Sequence, residues 1–328
     1  MTMTEAAGVE GVGAGAGASI GHYEMLQLVG VGGMAEVFRA RARGPAGASR
    51  PLIIKRILPH LASDPRFIHA FVEEAKILGM LHHPNIVSVY DFGEDAGRHY
   101  LALEYLDGPS LAEIMDRRHR AKAPLPVGVA AYLAREICHG LTAVHTLQQS
   151  DGTPLNVIHR DVTPSNAMTT RTGTVKLLDF GIAKIDSSVS MTRHGQIKGK
   201  AAYLAPEQIK GEAIDFRVDL FALGIVLHEL LTLNHLFDGE GGDMATAYRI
   251  IQMPIPPPSQ LRPDVPQALD EIVMQALARD VRQRWASAEE MAQALDGVVR
   301  ACGTTRQDIA SFVRACQDAR SADAAPRT

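Results

Sequence analysis

Cysteine is scarce in this chain: there are 3 in 328 residues, Cys138, Cys302 and Cys316, far apart and odd in number. That excludes a disulfide framework and a cysteine-built metal cluster, and it suits a reducing cytoplasm. A basic excess is missing as well. The formal net charge of −4 argues against a nucleic-acid partner, whose recognition needs clustered lysine and arginine. Long apolar runs are absent too. The most apolar stretch, residues 219–232, is broken by His228 and Glu229 and falls short of the roughly 20 residues that span a bilayer. A buried helix is expected there. Residues 11–18 form a Gly/Ala repeat with neither a basic flank nor a long apolar core, so the start of the chain reads as a flexible tail rather than a secretory leader. These absences predict a soluble chain with no membrane partner. Hydrophobic residues at 46% and charged residues at 21% are what a packed protein of one or two domains needs.

What is present divides into two kinds of segment. Residues 23–29 and 37–42 have strand patterning and flank a glycine turn, Gly30-Val31-Gly32-Gly33. Residues 44–51 read as a Gly/Pro/Ser loop and 52–57 as a short apolar strand. Residues 67–81 carry Ile68, Phe71, Val72, Ala75, Leu78 and Leu81 at helical spacing and stop before His83-Pro84. Two further strands are expected near 86–92 and 100–105. Beyond Asp107-Gly108 the periodicity becomes helical: Leu133, Ile137, Leu141 and Val144 recur on one face. A short strand is expected at 175–178, and most of 214–299 is expected to be helical, broken at 254–266. Thr305 and Asp308 form a capping-box pattern ahead of Ile309, Phe312, Val313 and Cys316. That last helix is expected to dock on the body, with disorder from residue 321. A strand-rich front followed by a helix-rich back gives the fold class α+β, two lobes with a cleft at the join. There is no internal repeat.

Phosphoryl transfer needs phosphates held, their charge neutralised and a hydroxyl aimed in line. The chain has residue types for each task. Glycines let backbone N–H groups approach phosphate oxygens, though Gly30, Gly32 and Gly33 would equally close a hairpin. Lys55 ends the apolar run Leu52-Ile53-Ile54, as a buried charge or as a solvated surface lysine. Two motifs are more specific: His159-Arg160-Asp161-Val162-Thr163-Pro164-Ser165-Asn166, and Asp179-Phe180-Gly181 after a short strand. Asp161, Asn166 and Asp179 stand 5 and 13 residues apart across a strand hairpin, a spacing that gathers metal- and hydroxyl-binding groups.

With these motifs in this order, the chain resembles the eukaryotic-like protein kinases, and the bacterial serine/threonine type best, over roughly residues 23–299. The resemblance implies a bilobal protein-kinase fold, with a small β-rich N-lobe carrying one main helix and a larger, mostly helical C-lobe. The implied segments are a Gly/Ala-rich disordered tail (1–20), the N-lobe (21–107), the C-lobe (108–300) and an extra helix with a disordered end (301–328). It implies ATP and Mg²⁺ as cofactors and serine or threonine of proteins as acceptors. Val29, Gly30, Gly32 and Gly33 match the phosphate-covering loop, whose third glycine is Ala35 here. Lys55 would hold the α- and β-phosphates and pair with Glu74, chosen over Glu73 for its ten-residue spacing to Pro84. Asp161 would orient the acceptor hydroxyl, while Asn166 and Asp179 would bind Mg²⁺. Leu103 takes the gatekeeper position, the backbone of Glu104 and Leu106 would meet the adenine edge, and Val37, Ile53 and Met168 would enclose the ring. Plain core or strand packing remains the alternative for these adenine positions. Leu78, Val89, His159 and Phe180 would stack, anchored by Asp219. Glu207, of Ala205-Pro206-Glu207, would form a buried ion pair with Arg284.

Three positions depart from the pattern. Two after the catalytic Asp, serine/threonine members normally carry Lys, and this chain has Thr163. Six before Pro206 they normally carry Thr, and this chain has Lys200. The two residue types have changed places, so Lys200 is expected to reach back and supply the missing charge beside Asp161, with Thr163 as its partner; a surface lysine that reads substrates is the alternative. Ile53 replaces a usual Ala and should narrow the adenine pocket. Residues 146–156 form a longer connection than usual, with no assigned role. Ser187, Ser188, Ser190 and Thr192 are candidate phosphorylation sites that would pair with Arg160, and control by phosphorylation or by a regulatory partner is expected. A pseudokinase scaffold, motivated by Thr163 and Ala35, is the competing functional reading. A small-molecule phosphotransferase is the third.

Overall fold

The computed structural model describes residues 19–44, 48–181, 201–237 and 239–323, with side chains to residue 317. Two compact units make up the chain. One comprises Met1–Phe71 with Val89–Tyr105, and the other Val72–Ser88 with Leu106–Thr328.

The first unit is a sheet. Its strands are β1 (Ser19–Ile20), β2 (Tyr23–Val31), β3 (Ala35–Arg43), β4 (Ser49–Ile57), β5 (Val89–Asp95) and β6 (Arg98–Glu104); helix α1 (Pro65–Met80), between β4 and β5 in the chain, belongs to this unit only as far as Phe71. The order is β1-β2-β3-β4-β6-β5 and all neighbours are antiparallel. Alternation decides the faces. Ile20, Tyr23, Met25, Phe38, Ala40, Leu52, Ile54, Tyr100 and Ala102 form the core on one side. The partners Val37↔Lys55↔Leu101 and Arg39↔Ile53↔Leu103 share the opposite side. The expected tail ends earlier than residue 20: Ile20 is 1% exposed, because its apolar side chain completes this core from the sheet edge. The expected loop 44–51 is likewise shortened, with Ser49, Arg50 and Pro51 already paired to β3. Strand β6 joins β4 only from Leu52, so Pro51 has a neighbour on one side and its missing N–H is tolerated.

The second unit is mostly helical: α2 (Leu111–Arg120), α3 (Val127–His145), a hairpin of β7 (Ala167–Thr169) and β8 (Val175–Leu177), then α4 (Pro206–Lys210), α5 (Arg217–Thr232), α6 (Gly242–Gln252), α7 (Pro258–Leu261), α8 (Gln267–Ala276), α9 (Ala288–Ala301) and α10 (Arg306–Asp323). Helix α2 starts at a true capping box, Ser110 Oγ accepting from Glu113 N and Glu113 accepting from Ser110 N. Helix α5 is buried from Val218 to Leu231, as its all-round apolarity predicts. Short α7 interrupts the expected 254–266 break, started by Pro258 at its first turn. Helix α10 begins at the Thr305–Asp308 cap and runs to Asp323. It passes residue 321, where disorder was expected, since no glycine or proline stops it before Pro326. Among the described residues no helix is long and apolar enough to cross a membrane, and the three cysteines are free.

Candidate active site

In the sheet unit, Val37, Ile53, Lys55 and Leu103 fall on the face opposite the core, while Glu104 pairs with the core residue Leu52. Strand β2 continues through Gly30, which pairs with Val37, so the turn is tighter than the sequence suggests and is closed by Gly32 N donating to Ala35 O at 2.8 Å. A Cβ on Gly30 or Gly33 would meet nothing within 4 Å, which leaves the loop backbone open to an approaching group. Val29 is exposed. Val37 and Ile53 are half-buried, while Leu103 and Lys55 are each 7% exposed. A buried ammonium needs an anionic partner to offset the loss of water, and this places Lys55 well apart from the solvated lysine that the sequence also allowed.

The helical unit ties His159, Asp161, Thr163, Asn166 and the loop of Asp179 into one knot. Asn166 N donates to Thr163 O at 3.0 Å, and Leu178 N donates to Asn166 O at 2.8 Å. Asn166 Nδ2 donates to Asp161 O at 2.9 Å. Gly181 N reaches His159 O at 2.8 Å, and a Cβ on Gly181 would lie 3.2 Å from that of Asp161. A side chain there would have to push the two loops a few tenths of an ångström apart. His159 is fully buried; its Nε2 donates to Leu178 O and its Nδ1 accepts from Asp161 N. Burial pushes its pKa down, so it is a neutral spacer. Its ring lies 4.6 Å from that of Phe180, and Leu78 is buried in the same unit. Val89, the fourth of the expected stack, belongs to the other unit and is half-buried.

Two of the non-glycine residues with left-handed backbone stand here. Arg160 has φ +63° and Asp179 φ +42°, conformations that cost about 1–3 kcal/mol for residues with a Cβ. Asp219, 1% exposed, holds the first of them: its carboxylate accepts His159 N and Arg160 N, each at 2.8 Å. His145 Nε2 adds a third contact at 2.9 Å. Sequence reasoning missed His145, whose only signal was a histidine ending α3 ahead of the His-Arg-Asp motif.

Thr163 is buried, and its Oγ1 has no hydrogen-bond partner among the described residues. Met168 is half-buried on β7, and Leu106 is buried. Glu74 is 2% exposed, whereas Glu73 pairs with Lys76 Nζ at 2.7 Å on the solvent side. Glu207 and Arg284 form a bidentate buried pair, at 2.6 and 2.7 Å. Glu229, read in the sequence only as an interruption of an apolar run, is a pin. It accepts Tyr203 Oη at 2.7 Å and Leu236 N at 3.0 Å, fastening the segment ahead of Ala205-Pro206-Glu207 to α5. Lys200, Ser187, Ser188, Ser190 and Thr192 lie outside the described residues.

Residues 23–295 match the family model described as protein kinase domain. The chain is 40% identical over 276 residues to the "Tyrosine-protein kinase MasK" of Myxococcus xanthus, covering 84% of this chain and 43% of that protein. It is 35% identical to the "Serine/threonine-protein kinase PrkC" of Bacillus subtilis, covering 83% and 39%. The chain thus spans less than half the length of these curated relatives. Among solved structures, the kinase domain of Mycobacterium tuberculosis PknI is similar at TM-score 0.64 and 27% identity, over 87% of this chain and 99% of that one.

Proposed function

Since the chain belongs to the protein kinase family, we propose that it transfers the γ-phosphoryl group of ATP to serine or threonine hydroxyls of proteins. The observation that carries this reading is the knot in the helical unit, where Asn166 is hydrogen-bonded both to Asp161 and to the residue preceding Asp179. In that arrangement Asp161 would accept the acceptor's hydroxyl proton and aim its oxygen. Lys55 would hold the α- and β-phosphates, with Glu74 as its carboxylate partner and the backbone of Gly30, Gly32 and Gly33 over the phosphates. Val29, Val37, Ile53 and Met168 would enclose adenine, with Leu103 behind it and the backbone of Glu104 and Leu106 at its edge.

The donor set fits Mg²⁺. Asn166 spends Nδ2 on Asp161 O, which leaves its amide oxygen, and Asp179 offers a carboxylate; hard oxygens suit this ion. Bound Mg²⁺ would supply charge neutralisation at the phosphates.

The exchange of Thr163 and Lys200 belongs to the same reading. A buried hydroxyl two residues from Asp161, without a partner among the described residues, supports Thr163 as the partner of a charged group. Lys200 is proposed as that group. Lys200→Ala should lower turnover, and Thr163→Lys with Lys200→Thr should restore it; unchanged turnover in the single variant would discard the idea.

A tyrosine acceptor is the second reading. It is favoured by the relative named as a tyrosine kinase and by the absence of the usual lysine at Thr163. A scaffold without transfer rests on Thr163 and Ala35 alone, and against it Lys55, Glu74, Asp161, Asn166 and Asp179 are all present. The deciding experiment incubates the chain with Mg²⁺ and γ-labelled ATP, beside Asp161→Asn, and hydrolyses the product to phosphoamino acids. Label on serine or threonine that vanishes in the variant is expected. Label on tyrosine moves the assignment to the second reading, and no label with nucleotide still bound overturns both.

A further inference from the structure

We propose that α10 is a clamp on the β7–β8 hairpin, and that Arg306 is a positioning residue for the two groups at the hairpin's base, Asn166 and Asp179. The inference rests on the kinase reading for the roles of those two groups, but the contacts stand by themselves. Helix α10 lies beyond residues 23–295, the extent of the family match.

A ribbon of two three-residue strands cannot hold its own geometry in water, so its supports decide where its ends sit. Two supports are backbone. Leu177 N and Val87 N bond Asn85 O and Leu177 O, and on the other edge Thr169 N and Arg171 N bond Pro109 O and Asp107 O. The third is α10, at the hairpin turn. Arg306 Nε donates to Thr172 O at 2.9 Å, and its Nη2 donates to Thr174 Oγ1 at 2.6 Å. The turn is seated against the helix backbone itself. Gly173 has φ +79°, and a Cβ there would lie 2.4 Å from Arg306 O and 3.1 Å from Ala310 N. Glycine is therefore required twice at this point, for the left-handed conformation and for the close approach.

The helix that presses on the turn is itself fixed. Ile309 and Val313 are fully buried, and Ala310 and Cys316 nearly so. Arg117 Nη1 donates to Cys316 O at 3.0 Å, and Arg118 lies over the Phe312 ring at 5.6 Å. Asn166 directly precedes β7, and Asp179 stands two residues beyond β8. A tilt of the turn thus moves both bases of the hairpin together. Losing a group that orients a metal-binding side chain typically costs about 10–100-fold in metal affinity, and the clamp is expected to act at the lower end of that range.

The test uses the full chain and compares wild type with Arg306→Ala and the milder Arg306→Gln. Two quantities are measured: amide hydrogen exchange over residues 167–178, and the Mg²⁺ concentration at half-maximal ADP affinity, read by calorimetry. The expected result is faster exchange in the hairpin and a Mg²⁺ midpoint raised about 10-fold in Arg306→Ala, with Mg²⁺-free ADP affinity unchanged and Arg306→Gln intermediate. A fall in melting temperature with both quantities unmoved would mean that α10 is only a stabilising cap, and the proposal fails. Should Arg306→Ala not fold, the same two readings on Arg306→Gln decide it. If the wild type shows no Mg²⁺-dependent nucleotide binding, the kinase reading fails instead, while the exchange comparison still judges the clamp.

Discussion

A carboxylate that is taken out of water must find donors or lose its charge, and the buried acids of the helical unit each find them differently. Asp219 spends its oxygens on backbone N–H groups of the strained loop and on His145. Glu229 takes Tyr203 and the Leu236 amide. Glu207 takes both ends of the Arg284 guanidinium, whose Nε donates to Ala278 O at 2.7 Å. The last of these is the most exposing to break, because removing one ion leaves the other buried alone. Arg284→Ala is expected to destabilise the helical unit by about 3–5 kcal/mol. Arg284→Lys should recover only part of this, since a single ammonium cannot make the bidentate pair together with the Ala278 bond. Chemical denaturation of the three proteins checks both statements, and a lysine variant as stable as wild type would refute the geometric part. The pairing of Glu207 with Arg284 was legible only through the family resemblance that the Ala205-Pro206-Glu207 motif helps to carry. The roles of His145 and Glu229 were not legible, since a lone polar residue in an apolar helix gives no hint of its partner until the fold supplies one.

At the scale of elements, glycine separates contact from openness. At Gly108, between β6 and α2, a Cβ would stand 1.7 Å from Thr169 O and 2.9 Å from Thr170 Cα. Both are main-chain atoms, so nothing can swing aside. Gly108→Ala must push the 107–110 segment off β7 and strain the bonds from Thr169 N and Arg171 N. The expected cost is at least the 1–3 kcal/mol usual for overpacking. Gly33→Ala adds a Cβ to open space and should change stability by no more than about 0.5 kcal/mol. A thermal melt of each variant tests the pair, and equal shifts would contradict the packing described here. The sequence marked Gly108 only as a change of character from strand to helix. Periodicity located α1, and a continuous apolar run α5, to within a few residues, because both are local properties; the stripe from Leu133 to Val144 marked only the later part of α3, which starts at Val127. Periodicity missed the start of β4 and the end of α10, because strand pairing at Pro51 and the helix end past residue 321 depend on neighbours and stop signals rather than on pattern.

Across the whole molecule, the response to acid follows from which histidines are buried. His159 and His228 are 0% and 1% exposed, and burial lowers the pKa of each below the ordinary 6.5. At His228 the Pro256 carbonyl and the charges of Glu229 and Asp270 pull the other way without overcoming it. Its Nε2 donates to Pro256 O at 3.0 Å, and its Nδ1 has no partner among the described residues, so a second proton would find no acceptor there. With the folded pKa depressed, the unfolded chain takes up protons first as pH falls through 6.5. Stability rises with pH wherever the unfolded state binds more protons. The contribution of these histidines is therefore fully present above 6.5 and lost on the way down to their folded values. Surface carboxylates held below 3.8 by arginine, the half-buried Asp64 and Asp280 and the exposed Asp264 among them, add a loss of the same sign in a lower window. The melting temperature should be flat between about pH 7 and 8 and decline below about pH 6.5, before any carboxylate titrates; above its ordinary 9.0 the thiol of Cys138, whose pKa burial raises in the fold, adds a loss of the opposite sign. His228→Gln removes one titrating group while keeping a donor for Pro256 O, so it should lower the plateau and flatten the decline between these windows. A decline equally steep in the variant would show that His228 is not among the groups that take up the acid-induced protons.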